Sequence, residues 1–137
     1  GTTMATVERQ AARILLVEDD DLVRELVEAQ LAALGHRVRG VEDASAALGA
    51  IDAGLSFDLL VTDVTLPGEM DGYALARLVR QGRPGLPVLY ASGHATSARD
   101  AAVPGAGATR HLQKPFRVQQ LARAVDELLA TVPEPTR

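Results

Sequence analysis

Five short strand-like runs alternate with segments of helical periodicity along most of this chain, and no other feature constrains the fold as tightly. "RILLV" (13–17), "HRVRGV" (36–41), "FDLLVTD" (57–63), "LPVLYAS" (86–92) and "TRHLQ" (109–113) have strand length and lie between turn-forming residues. Residues 21–34 carry apolar side chains at 22, 23, 26, 27, 31 and 34, a helical spacing, and Gly35 stands where a helix-ending glycine belongs. Residues 43–54 start at a capping Asp43 and stop at Gly54. In 71–82, Leu75, Leu78 and Val79 share a face. In 116–130 the apolar positions are 118, 121, 125, 128 and 129. Residues 95–107 predict only a weak fourth helix, because Pro104, Gly105 and Gly107 all oppose helix formation.

Strands alternating with helices at short intervals imply an α/β fold of five βα units, with a parallel sheet between two helical layers. The near-continuous apolar run of 57–63 predicts a strand buried on both faces. A length of 137 residues fits one domain with one core, and 47% apolar residues suffice to fill it. Aromatic residues are only 3%, so aliphatic side chains must do most of the packing.

Composition also narrows function. A net charge of −4 argues against a nucleic-acid-binding domain. The absence of cysteine removes disulfides, a thiolate zinc site and a cysteine nucleophile, and fits a cytoplasmic location. No apolar run approaches membrane-spanning length. The residues before Met4 read as a tag remnant, so residues 1–12 are expected to be a disordered N-terminal segment, 13–130 the folded domain and 131–137 a flexible tail.

In such sheets ligands bind at the carboxyl ends of the strands. The first run ends in "EDDD" (Glu18 to Asp21), the third in Asp63 and the fourth in Ser92, and the fifth is followed by Lys114. Taken singly, each has an ordinary role: Asp20 or Asp21 caps a helix, Asp63 starts a turn, Ser92 is structural and Lys114 is solvated. Taken together they gather carboxylates, a hydroxyl and an ammonium at one edge. Clustered carboxylates repel unless protonated or bound to a cation, and oxygen-only donors suit Mg2+. A carboxylate can attack phosphorus, and the transferred phosphoryl group then needs its charge neutralised.

The motifs "ILLVEDDDLVREL", "VTDVTLPGEMDG", "VLYASG" and "LQKPF", in this order, resemble the receiver domain of bacterial two-component response regulators, over roughly Arg13 to Ala130. The resemblance implies a flavodoxin-like (CheY-like) doubly wound five-stranded sheet of order 2-1-3-4-5. By position it implies that Asp63 accepts a phosphoryl group from a sensor histidine kinase or a histidine phosphotransfer protein. It implies Mg2+ held by Asp19, Asp63 and the Thr65 carbonyl, with Glu18 acting through water. Lys114 would contact the phosphoryl group, Ser92 would be the switch hydroxyl, and the Lys114–Pro115 bond would be cis. The signal would leave through the face of the fourth helix, fifth strand and fifth helix, toward a downstream protein that the residues do not name. Such a domain is a phosphoacceptor rather than an enzyme of external substrates, and a monomer or weak dimer. It would be a stand-alone regulator or a part of a longer protein such as a hybrid kinase.

The departures from that pattern carry expectations of their own. Where receivers often have Tyr or Phe three residues before the lysine, this chain has His111. His111 is expected to swing inward as Ser92 moves and to make the response pH-sensitive, the alternative being a solvent-facing histidine. Thr65 and His94 occupy the positions that tune dephosphorylation, and neither offers an acid or amide to orient water, which predicts slow phosphate loss. Three rivals remain: a degenerate receiver used only for interaction, a haloacid-dehalogenase-type phosphatase and a nucleotide-binding domain. The phosphatase needs a second Asp where Thr65 stands, and "PGAGATR" lacks the last glycine of a dinucleotide fingerprint.

Overall fold

The computed structural model describes residues 11–93 and 108–131. His94, the expected weak helix over 95–107, most of the tail and nearly all of the N-terminal segment lie outside the described residues.

Five strands form one parallel sheet: β1 (Arg13–Val17), β2 (Arg37–Val41), β3 (Leu59–Asp63), β4 (Val88–Ser92) and β5 (Thr109–Gln113). Their order is β2-β1-β3-β4-β5, with every neighbouring pair parallel. The described helices are α1 (Asp21–Ala33), α2 (Ala44–Asp52), α3 (Gly72–Gly82) and α4 (Val118–Leu129). The doubly wound fold and its order therefore stand as expected, and α4 is the helix read from 116–130.

Period-two alternation divides the sheet into two cores. Leu15, Val17, Leu60, Val88 and Tyr90 pack toward the face that carries α2 and α3. Ile14, Leu16, Leu59, Val61 and Leu89 pack toward α1 and α4. All five residues of β3 are buried, because it lies in the middle of the sheet with a helical layer on each side. The edge strands β2 and β5 are only partly covered. Alanines at 44, 47 and 50 give α2 a flat buried stripe.

Packing adds detail to the helix faces and to the N-terminal edge of the fold. On α1 only Val27 and Leu31 are buried, while Leu22 and Leu26 are 77% and 57% exposed, because the apolar stripe is wider than the strip the sheet can cover. On α3 the buried stripe runs through Leu75, Ala76, Val79 and Arg80, which leaves Leu78 outside it. Arg80 is buried because its guanidinium donates to the carbonyls of Leu86 and Ala108, both at 2.9 Å, where β4 and β5 begin. On the N-terminal side, Ala12 is buried and accepts from Arg37 N–H at 2.9 Å, so the fold includes it.

Candidate active site at the carboxyl edge of the sheet

The parallel arrangement puts the ends of β1, β3, β4 and β5 on one edge. Glu18 follows directly on β1, and its N–H donates to Val41 O at 3.0 Å, which extends the β1–β2 pairing by one residue. Asp20 then caps α1, accepting from Leu22 N–H at 2.9 Å and Val23 N–H at 3.1 Å. That cap turns the chain sharply and leaves Asp19 exposed at the rim while Glu18 points inward. Capping by Asp20 was one of the two sequence readings, and it is the one observed.

Asp63 is the last residue of β3 and is 6% exposed. The chain after it doubles back at once. Gly72 N–H donates to Val64 O at 2.7 Å, and a Cβ on Gly72 would sit 2.0 Å from the Asp63 carbonyl oxygen. Only glycine permits that approach, so the "DG" that opens α3 is a steric requirement of the site. Asp71 caps the helix by accepting from Ala74 N–H at 2.8 Å.

Lys114 reaches across from the far side. Its Nζ lies 2.6 Å from Asp63 Oδ1 and 2.7 Å from Glu18 Oε1. Its backbone N–H donates to Ser92 O at 2.7 Å, and the Lys114–Pro115 bond is cis. Ser92 follows Ala91, the register partner of Asp63 on β4, and is half-buried. Thr65 is exposed two residues past Asp63. The fold thus brings Glu18, Asp63 and Lys114 into direct contact and sets Asp19, Ser92 and Thr65 around them.

Burial and mutual repulsion govern the electrostatics. Burial and the adjoining Glu18 carboxylate push Asp63 up to about 7, against the downward pull of Lys114. Burial also pushes Glu18 up, but hydrogen bonds from Asp63, Lys114 and the Asp20 N–H outweigh it and leave the pKa below the ordinary range. Of the two carboxyl groups, Asp63 is therefore the one biased toward its protonated form. Lys114 is depressed by burial, yet contact with Asp63 and Glu18 raises it above a free lysine.

Ligand oxygens of Glu18, Asp19 and Asp63 lie within 4.8 Å of one another. A purely oxygen donor set, short of positive charge by at least one unit, matches the chemistry of a hard divalent cation such as Mg2+. Coordination would offset the mutual repulsion of these carboxylates.

His111 lies on β5 opposite Tyr90 of β4 and stacks on it, with ring centroids 5.0 Å apart and planes 27° apart. Its Nε2 is hydrogen-bonded to the Tyr73 hydroxyl at 2.9 Å, so it is half-buried and engaged rather than solvent-facing. The sequence reading missed Tyr73, whose place in the first turn of α3 gives no signal by itself. It also missed Arg24, which donates to the Glu18 carbonyl from one turn into α1.

Comparison with known proteins gives consistent results. Residues 14–126 match the family described as response regulator receiver domain. The response regulator protein FleR of Pseudomonas aeruginosa is 40% identical over 120 residues, 88% of this chain but 24% of that protein. The chain thus spans about a quarter of that curated relative's length. A response regulator receiver protein of Sinorhizobium medicae superposes with a TM-score of 0.79 at 33% identity, covering 88% of this chain and 96% of the other. The receiver domain of sensor histidine kinase PA1611 from Pseudomonas aeruginosa gives a TM-score of 0.73 at 30% identity, covering 88% and 99%; its structure has a magnesium ion coordinated in the active site cleft.

Proposed function

The chain belongs to the response regulator receiver domains of two-component systems, and on that premise we propose that Asp63 is its phosphoacceptor, supplied by a phosphohistidine on a sensor histidine kinase or a histidine phosphotransfer protein. The observation that carries this reading is the convergence of Lys114 on Asp63 at 2.6 Å beside the Glu18–Asp19–Asp63 cluster.

In the reaction Asp63 acts as its carboxylate. One carboxylate oxygen then forms a bond to phosphorus as the phosphorus–nitrogen bond of the donor breaks, and the imidazole keeps the electron pair. Lys114, already paired with Asp63, moves its charge onto a phosphoryl oxygen. Ser92 donates a hydrogen bond to another. Asp19, Asp63 and the Thr65 carbonyl would hold Mg2+, with Glu18 acting through water, and the ion would supply positive charge to the phosphoryl group. These interactions form with the transferring group rather than with free donor, which is where they accelerate transfer.

The domain turns over no external substrate in this reading and so is not an enzyme in the usual sense. It works in the cytoplasm, where its kinase partner presents the phosphohistidine; among the described residues no helix is long and apolar enough to cross a membrane. Output passes through β5 and its flanking helix, with His111 as the side chain that responds when Ser92 engages the phosphoryl group. Thr65 and, by sequence position alone, His94 are neither acids nor amides, which favours a long lifetime of the acyl phosphate. A receiver acting only as an interaction module is the rival. Beryllofluoride with Mg2+ separates the two: NMR shifts spreading from Asp63 to β5 support phosphorylation, and an unchanged spectrum supports the rival.

A further inference from the structure

We infer that Arg24 is a positioning residue for the metal-binding carboxylates, acting through the backbone that carries them; this rests on the reading of Glu18, Asp19 and Asp63 as Mg2+ ligands. Its guanidinium has two engagements. One nitrogen donates to the Glu18 carbonyl at 2.9 Å, and the other meets Asp21 Oδ1 at 2.7 Å. The Arg24 side chain is only 18% exposed and lies across β2, where a Cβ on Gly40 would come within 3.3 Å of its Cδ and 1.9 Å of Glu28 Oε2. Gly40 thus leaves room for this arm to reach back from α1 to the end of β1.

The Glu18 carbonyl belongs to the peptide plane that joins Glu18 to Asp19. Fixing that oxygen fixes the peptide plane that leads into Asp19 and so restrains where its Cα and side chain lie. This matters because the two acids are held differently. The Glu18 carboxylate is restrained by Lys114 at 2.7 Å and by the Asp20 N–H at 3.0 Å. Among the described residues the Asp19 carboxylate has no hydrogen-bond or ion-pair partner, so its placement depends on its backbone. Asp21 balances the guanidinium charge, so Arg24 orients the acidic rim without opposing a cation there. A planar guanidinium can meet two acceptors in fixed directions, whereas a lysine ammonium on a flexible stem cannot hold both.

The test is a direct Mg2+ titration by calorimetry on wild type, Arg24→Lys, Arg24→Ala and Asp21→Asn, with phosphorylation by acetyl phosphate measured across the same Mg2+ range. Positioning predicts that both Arg24 variants bind Mg2+ about tenfold more weakly, with Asp21→Asn between them and wild type. The phosphorylation rate at saturating Mg2+ stays within about twofold of wild type, because the reacting groups are intact. A charge effect alone has the opposite sign: Arg24→Ala would bind Mg2+ more tightly and Arg24→Lys would match wild type, and either result overturns the inference. Wild type that takes up no Mg2+ would refute the metal site itself, a different failure from normal wild-type binding with unaffected variants. Arg24→Lys keeps charge and stem length, so its result stands even if Arg24→Ala folds poorly.

Discussion

The ammonium of Lys114 lies 2.6 Å from Asp63 Oδ1 and bridges it to Glu18, 2.7 Å away. One cation thus serves two buried carboxylates. Asp63 is raised to about 7, so it is protonated below that value, and the carboxylate a cation needs is present above it. The apparent Mg2+ affinity of the unphosphorylated protein is therefore expected to be roughly tenfold weaker at about pH 6 than at about pH 8. Calorimetric titration at the two pH values measures it. Asp63→Asn should bind weakly at both and lose the pH slope.

The exposed leucines of α1 give a prediction about the phosphoryl donor. Leu22 and Leu26, 77% and 57% exposed, stand one helical turn apart in the helix that starts beside Asp19. Apolar surface at the rim of the site suits a protein donor and is irrelevant to a small one. Leu22→Ala with Leu26→Ala is expected to slow phosphotransfer from a cognate histidine kinase about tenfold or more. Phosphorylation by acetyl phosphate should be unchanged. Equal slowing with both donors would place these leucines in the chemistry or the fold instead.

Gly72 tests how tightly the turn after Asp63 is built. A methyl group at this position would overlap the Asp63 carbonyl, which is backbone and cannot rotate away. Gly72→Ala should lower stability by about 1–3 kcal/mol, measured by urea unfolding. It should also impair phosphorylation, because relief of the clash displaces the acceptor.

Much of this was legible in the sequence for identifiable reasons. β3 was readable because a central parallel strand leaves an unbroken apolar run, and Asp63 stood out as the polar residue that ends it. Glu18, Asp19 and Lys114 became meaningful once parallel topology placed their strand ends together. Helix faces were less legible. Leu22, Leu26 and Leu78 have the right chemistry for a core, but hydrophobicity alone does not reveal where the sheet ends. Arg80 was hidden for the converse reason, since its burial depends on carbonyls from β4 and β5 that are remote in sequence. Tyr73 and Arg24 act through contacts with His111 and with a main-chain oxygen, and neither contact leaves a local pattern.

The Tyr73–His111 bond gives a fourth prediction. The hydroxyl at 2.9 Å holds the imidazole against Tyr90, two residues before Ser92 on the same strand. Tyr73→Phe removes the hydrogen bond and keeps the ring. It is expected to change the nitrogen NMR shifts of His111 in the unphosphorylated protein and to reduce the further change that beryllofluoride produces. His111→Ala should abolish the β5 response while leaving phosphorylation of Asp63 intact. A full β5 response in His111→Ala would remove His111 from the output path.

The central claim is that Asp63 accepts the phosphoryl group, and intact-mass measurement after incubation with acetyl phosphate and Mg2+ tests it most directly. Wild type should gain the mass of one phosphoryl group, lose it on treatment with hydroxylamine as an acyl phosphate does, and gain nothing when Mg2+ is chelated. Asp63→Asn should gain nothing under any condition. Equal labelling of Asp63→Asn, or an unmodified wild type with Mg2+ bound, would contradict the account.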